Sequence, residues 1–418
     1  MSVFALADGT MIETKWDYDL IIVGAGVAGS ASAILLGQEG YRILLVDRAV
    51  FPRHKTCGEG IMPEGVRILD SLGVLPAILD QGGTRARGLR FRSQAGVWAQ
   101  ADFPPVAGEP TYSVVIRRYE LDHLLLQKAA SLSNVTVREG FAVVEALHEG
   151  GAIQGIVGHP VGQPEKCETL HAPLTFAADG MRSRFHNRYG ITRTVRSRQR
   201  WGIAGHLRGV EELRPYIEVL FQRDHEIYLA PLADDLVLVA ILLEKKEMGA
   251  FRGDLAKIYH EFLKADPALG PRTQHSELVP PVGARGPLGF TVAPVHRPGL
   301  LLVGDSAGFL DPITGEGMTL ALQCVQAAAP VVKRAFETGD FGSEVLGQYD
   351  TERERIISDV SRLTQLMLNV SRSRLLTNRA ISHLSHDEKL FQKLVGIVAG
   401  TNRYRDFTLK DRLALALG

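Results

Sequence analysis

Short unbroken apolar runs along the chain end on a glycine cluster or a glycine–acid pair, and helical patterns follow them. Residues 19–23 (DLIIV) read as a strand buried on both faces, the pattern of a central parallel strand. Glycines at 24, 26 and 29 follow, then a helix from Val27 to about Gln38, ended by Gly40. Residues 42–46 (RILLV) give a second strand that stops at Asp47. The same device returns twice. Residues 174–178 run into Asp179-Gly180, and 301–303 run into Gly304-Asp305. Pro312, Gly315 and Gly317 then mark a tight loop, and 318–332 read as a long apolar helix. Between these motifs the period changes. Residues 199–209, 216–222, 226–231 and 236–244 read as successive strands with short turns, and 251–264 as a helix. The tail predicts helices. Residues 351–369 place Ile356, Ile357, Val360, Leu363 and Leu366 on one helical face, and 391–398 form another apolar stretch.

Composition narrows the picture without deciding it. The 418 residues suffice for one large or two modest domains. Lys+Arg and Asp+Glu both number 47, so no global charge points to nucleic acid. Cys57, Cys167 and Cys324 are scattered, with no CxxC and no dense Cys/His cluster. Neither a metal site nor a disulfide framework is expected, and a reducing, cytoplasmic setting fits. The first residues lack a basic stretch followed by an apolar one, so no signal peptide is expected. The longest apolar run, 236–243, is far too short for a transmembrane segment. Peripheral membrane contact stays open.

The first motif carries chemistry. Gly24-Ala25-Gly26-Val27-Ala28-Gly29 is a GxGxxG between strand and helix, and Asp47 stands 18 residues after its last glycine, near the usual spacing of about 20. Gly24 suits the tight turn, Gly26 lets backbone approach a pyrophosphate, and Gly29 lets helix and strand pack closely. Asp47 is placed to accept hydrogen bonds from an unphosphorylated ribose, which favours FAD or NAD over NADP.

Residues 51–73 (FPRHKTCGEGIMPEGVRILDSLG) then turn the choice to FAD. Cys57-Gly58-Glu59-Gly60 followed by a helix resembles the geranylgeranyl reductase family of flavoproteins, within the larger superfamily of FAD-dependent aromatic hydroxylases and halogenases. Arg118-Tyr119-Glu120-Leu121-Asp122 resembles that superfamily's RxxLD. Asp179-Gly180-Met181-Arg182-Ser183 resembles DGxxSxxR, with His186 where the last arginine stands. Gly304-Asp305 with Pro312, Gly315 and Gly317 resembles its third fingerprint, and the AGF and TGEG within it are closer to the reductase branch. The resemblance implies an α/β fold: a Rossmann-like FAD-binding domain of the glutathione-reductase type, an inserted antiparallel-sheet substrate domain, and a helical C-terminal segment. It places the FAD-binding domain at 17–84, 111–185 and 285–345, the substrate domain at 85–110 and 186–284, and the helical segment at 346–418.

The resemblance also implies a cofactor-binding set: Gly24, Gly26, Val27, Ala28, Gly29, Asp47, Arg48, Cys57, Gly58, Arg118, Asp179, Gly180, Gly304, Asp305, Pro312, Gly315, Gly317 and Met318. Cys57 and Tyr228 are the catalytic candidates. Cys57 is either a site-lining thiol or a small buried hydrophobe, and Tyr228 either lines the pocket or is a core tyrosine with a satisfied hydroxyl. In the reductases a Tyr/Trp-x-Phe-Pro element occupies the place of 228–231, and only Tyr228 and Pro231 match. The WxWxIP of halogenases is missing, which argues against halogenation. Arginines crowd 182–200 (Arg182, Arg184, Arg188, Arg193, Arg196, Arg198, Arg200) and 85–92 (Arg85, Arg87, Arg90, Arg92). They form either a solvated face or a seat for a phosphate, on NAD(P)H or on a phosphorylated or carrier-tethered substrate.

The function implied is an FAD-dependent oxidoreductase that uses NAD(P)H-derived electrons on a hydrophobic isoprenoid- or polyketide-like substrate. Reduction of a C=C bond is slightly preferred over hydroxylation or epoxidation with O₂. A non-catalytic prenyl-binding protein, as among the GDP-dissociation inhibitors, is disfavoured by the intact glycine motifs.

Overall fold

The computed structural model describes residues 2–5, 11–14, 16–251 and 253–417, the side chains of 2–5, 11–14, 196–198, 250, 416 and 417 excepted. Arg196 and Arg198 therefore lie outside the described side chains.

The glycine-terminated runs are neighbours in one sheet. Its order is Val135–Arg138, Ile43–Val46, Leu20–Val23, Leu174–Ala177, Leu300–Leu302 and His296–Arg297, parallel except for the last strand. Every residue of Leu20–Val23, Ile43–Val46 and Leu174–Ala177 is buried, which is why these segments do not alternate. The helices Val27–Gln38, Arg118–Ala130 and Gly317–Thr338 pack together across the sheet, and the last of them runs one and a half turns beyond the predicted end at 332.

A second sheet has the order Gly308–Phe309, Glu277–Ala293, Thr192–Arg208, Leu236–Glu244, His225–Pro231, Ile217–Phe221, Gly88–Arg92 and Trp98–Asp102. It is antiparallel except where Ile217–Phe221 pairs with Gly88–Arg92. Along Leu236–Glu244, Leu238 and Ala240 enter one core, whereas Val237, Val239 and Ile241 enter another. The continuous apolar run thus reflects a strand covered on both faces. Helix Leu255–Ala265 covers one face. The C-terminal helices Gln348–Ser371, Arg374–His386 and Glu388–Val398 cover the other, through Leu363, Ile381 and Phe391 against Phe91 and Phe221. The predicted helix at 251–264 begins at Leu255, where Asp254 caps it through the Lys257 N–H.

Candidate functional site

The three glycine motifs meet at the C-terminal ends of the parallel strands. Gly24 has φ +103°, and a Cβ there would lie 2.5 Å from the Ala178 carbonyl oxygen, next to Asp179. A Cβ on Gly29 would lie 1.8 Å from the Gly24 carbonyl oxygen, so only glycine lets the helix start this close to the strand. A Cβ on Gly304 would meet that of Ala28 at 2.7 Å, which brings the third motif onto the first. Asp47 braces the turn, accepting the Ala25 N–H at 2.8 Å and the Ala49 N–H at 2.8 Å.

Between this sheet and the face of the second lies a cleft with a cavity volume of about 210 Å³. Gly26, Val27, Ala28, Cys57, Gly58, Arg118, Gly180, Gly304, Asp305, Pro312, Gly315, Gly317 and Met318 line it, and so does Tyr228. The remaining predicted residues stand behind or beside it. Gly24, Gly29 and Asp47 form the turn under the wall, Asp179 abuts Gly24, and Arg48 is exposed and lies outside the lining. The opposite wall belongs to the second sheet, where Gly202, Ala204, Ala230 and Ala240 have short side chains that leave the space open between the larger Ile217, Leu242 and Leu288.

The polar groups gather at the Gly26 end. Arg118 and Asp122 are both buried, and the Arg118 Nε and Nη2 each donate to the Asp122 carboxylate at 2.7 Å. Arg53 Nη1 donates to the same carboxylate at 2.8 Å. A Cβ on Gly26 would look onto the guanidinium nitrogens of Arg53 and Arg118, at 3.6 and 3.7 Å. Burial alone would lower the Arg118 pKa, but Asp122, with Cys57 beside it, holds it above its ordinary value. Burial likewise opposes the Asp122 carboxylate, and Arg118, Arg53 and Lys55 overcome that and hold its pKa down. Lys55 reaches to 4.0 Å from the Asp305 carboxylate. Burial, and then Arg118, lower its pKa. A planar cationic fork and an ammonium beside a glycine turn are the donors a pyrophosphate takes.

At the Gly317 end the first turn of a 22-residue helix opens toward the cleft. Its unpaired N–H groups and dipole suit negative charge there. Two carboxyls near these ends, of the buried Glu316 and the half-buried Asp179, each have one shielded oxygen with no hydrogen-bond partner, Oε2 and Oδ1. Burial raises both pKa values, most strongly that of Glu316. Glycine cradles, a buried guanidinium with a half-buried one beside it, and a helix start around one cleft fit a flavin dinucleotide. Among the described residues, no group of three or more His, Cys, Asp or Glu is placed to hold a metal.

The sequence reading passed over several residues. Arg53 and Lys55 sit in the FPRHK stretch, where Arg53 turns out to share Asp122 with Arg118. Glu59, in the left-handed region at φ 56°, accepts the Arg118 backbone N–H at 3.1 Å and pairs with His206 Nε2 at 2.8 Å. Arg200, one of the arginines read as a solvated face or a phosphate seat, is neither: it is buried between Glu226 and Asp311 and ties the second sheet to the loop before Gly315. Tyr228 completes that tie: its ring lines the cleft while its hydroxyl donates to the Ile313 carbonyl at 3.1 Å. His186, standing where the resemblance has arginine, donates to the Ser306 carbonyl at 2.7 Å and so links the second motif to the third. The two arginine groups differ. Arg87 pairs with Asp102 and Arg90 with Glu218, while Arg85 stacks on Tyr112. Arg182, Arg184 and Arg188 are exposed.

The apolar part of the cleft continues. Met62, Ile217, Tyr228 and Gly315 are shared with a void of about 20 Å³. Phe91, Met367 and Leu394 join that void to another of about 40 Å³, beneath the C-terminal helices. A row of separate apolar voids, divided by these shared side chains, therefore lies between the cleft and the helical cover.

Residues 17–364 match the family described as FAD binding domain. The chain is 30% identical over 336 residues to a menaquinone reductase of Mycolicibacterium smegmatis, covering 75% of this chain and 76% of that one. It is 27% identical over 326 residues to a squalene monooxygenase of Rattus norvegicus, covering 76% of this chain but 55% of the relative. In structure it is similar to a myxobacterial FAD-dependent halogenase, the chondrochloren halogenase, with a TM-score of 0.77, 22% identity, and 96% of each chain covered. That likeness speaks for the fold.

Proposed function

The chain belongs to the FAD binding domain family and is an FAD-dependent oxidoreductase of the reductase and monooxygenase superfamily, and from that premise we propose that it reduces a C=C bond of a hydrophobic, isoprenoid- or polyketide-like substrate with electrons from NAD(P)H. The observation that carries this reading is the single cleft, polar and cationic at Gly26 and apolar from Met62 to Leu242. Gly26, Arg118 and Arg53 would hold the pyrophosphate, Asp305 the ribityl hydroxyls, and the 312–318 loop the ring. When bound, FAD supplies two-electron redox chemistry, which no side chain of this cleft can supply. The protein's own part is to orient the substrate between the ring and the small residues of the second sheet, to exclude water there, and to hold a proton at the Cys57 thiol. Arg182, Arg184 and Arg188 are the exposed cations available to a donor's phosphate. We assign 17–84, 111–185 and 285–345 to the FAD-binding domain, 85–110 and 186–284 to the substrate domain, and 346–418 to the helical cover. From this assignment we move 285–293 and 308–309, which run in the second sheet, out of the FAD-binding domain and into the substrate domain.

Hydroxylation or epoxidation is the second reading, favoured by the likeness to a squalene monooxygenase. Oxygen consumption separates the two. The purified protein should carry a yellow chromophore bleached by NADH or NADPH, and anaerobic turnover should yield a saturated product. O₂ uptake in step with substrate would replace reduction by oxygen insertion. A protein that retains no flavin would remove both readings.

A further inference from the structure

The C-terminal helices carry a charge and an apolar pattern that the cleft does not use. Residues 372–418 hold nine Lys/Arg against four Asp/Glu, in a chain whose totals balance. Three of the four acids have partners within the same segment: Asp387 caps a helix through the Leu390 N–H, Asp406 accepts the Arg403 N–H, and Asp411 pairs with Lys393, so the excess of cations stands. Arg374, Arg379, Arg405 and Lys410 are exposed. Beside them stand large apolar side chains in water: Leu375 is 59% exposed, Leu409 73% and Leu413 47%. Leu409 and Leu413 are one turn apart on Leu409–Leu417, and that helix packs on Arg374–His386, which carries Leu375. The inner sides of the same two helices, through Ile381, Leu384 and Leu415, line the outermost of the apolar voids. Exposed leucines ringed by cations are the pattern of a helix that lies in a lipid interface.

We propose that this face docks on an anionic lipid bilayer, with Leu375, Leu409 and Leu413 entering the headgroup boundary and the surrounding cations meeting lipid phosphates. A bilayer offers both complements at once, an anionic surface directly over an apolar layer. The void beneath the helices would then face the membrane as an entrance for an apolar substrate. That last link rests on the apolar-substrate reading; the docking itself does not.

The test is flotation of the full flavin-loaded protein with two kinds of vesicle: phosphatidylcholine alone, and phosphatidylcholine with an equal part of phosphatidylglycerol. The protein should float with the mixed vesicles, be released by salt, and stay behind with phosphatidylcholine alone. Arg374→Gln with Arg379→Gln should weaken partition about 25-fold, at about fivefold per cation near the surface. Leu409→Asp with Leu413→Asp should weaken it at least as much while leaving the melting curve and flavin spectrum unchanged, since both positions are exposed. Three results would overturn the proposal: no binding to mixed vesicles, binding that the leucine variant leaves intact, or a dimer in light scattering that this variant splits. The last would give the face to a second copy of the chain.

Discussion

Replacing Arg118 by methionine separates the structural role of the buried ion pair from its role toward the cofactor. The guanidinium is 3% exposed and makes two 2.7 Å bonds to an Asp122 that is fully buried. Its removal leaves Asp122 with Arg53 at 2.8 Å and Lys55 nearby. Breaking a buried pair from one side costs about 3–5 kcal/mol, and the surviving Arg53 contact argues for the lower end. At about 2.1 cal/mol/K of unfolding entropy per residue, a chain this long loses about 1 °C of Tm per kcal/mol, so the drop is roughly 3–5 °C. It depends on pH in a definite direction. In the wild type Asp122 is held below its ordinary pKa, so its stabilisation is present above the unfolded value of about 3.9 and fades as pH falls. In the variant burial acts with less opposition and the pKa rises, so a penalty present at neutral pH is relieved by acid. Both effects make the Tm gap narrow on acidification. Arg118→Met with Asp122→Leu removes both fully buried charges and, because the Arg53 it leaves unpaired keeps some contact with water, should recover part of the lost stability. It should not recover cofactor affinity, because a charge-assisted bond to phosphate is worth about 1.5–3 kcal/mol, or about 10- to 150-fold in Kd for FAD. The assays are scanning calorimetry of the apoprotein and FAD titration by fluorescence quenching. A double variant that regains stability and binds FAD like the wild type refutes the cofactor role of Arg118.

Four further outcomes follow from the same geometry. Gly29→Ala places a methyl 1.8 Å from the Gly24 carbonyl oxygen and should abolish flavin retention on gel filtration; a fully yellow variant would contradict the close packing. The Glu316 carboxyl is pushed up by burial, so its ionisation destabilises the fold as pH rises through the folded value. Glu316→Gln should therefore raise the apoprotein Tm near pH 8, with the difference closing toward about pH 4.3, and equal curves throughout would count against a buried acid. Cys57→Ser should keep FAD bound while slowing proton-dependent turnover, visible as a solvent isotope effect; an unaltered rate would free Cys57 of the proton role. Arg182→Glu with Arg184→Glu should raise the KM for NADPH at least tenfold at low salt and less at high salt, and unchanged kinetics would place the donor elsewhere.

What could be read from the sequence was local. The GxGxxG, the RxxLD, the Asp179-Gly180 turn and the Gly304-Asp305 loop each hold their chemistry within a few residues; the three glycine motifs meet because each ends a strand of one sheet, and the RxxLD joins them because helix Arg118–Ala130, which it opens, packs on Val27–Gln38. Helix Val27–Gln38 lay where its glycines and apolar run put it. The strand Glu277–Ala293 was not legible, since ELVPPVGARGPLGFTVA has the prolines and glycines of a loop. It is tolerated because its outer neighbour is only Gly308–Phe309, so most of its length is a sheet edge where a missing N–H costs little. The half-strand 192–198 was hidden for a related reason. Its arginines break the alternation, and its register to the neighbouring strand shifts between Val195 and Arg200.

The polar ties of the cleft were illegible because their partners lie far apart in the chain. Glu59 finds His206 across 147 positions, and Arg200 finds Asp311 across 111. No spacing announces such a pair. Both join the second sheet to loops of the first unit, Glu59 in the loop before Met62 and Asp311 in the loop before Gly315. These buried contacts cost desolvation and add little net stability compared with apolar packing. What they supply is register: they set the small-residue face of the second sheet against the glycine loops at one fixed separation. If that is their use, Arg200→Met with Glu226→Leu and Asp311→Leu should keep or raise the melting point, yet broaden the flavin spectrum and lower turnover. A triple variant with wild-type spectrum and rate would mean that packing alone sets the cleft.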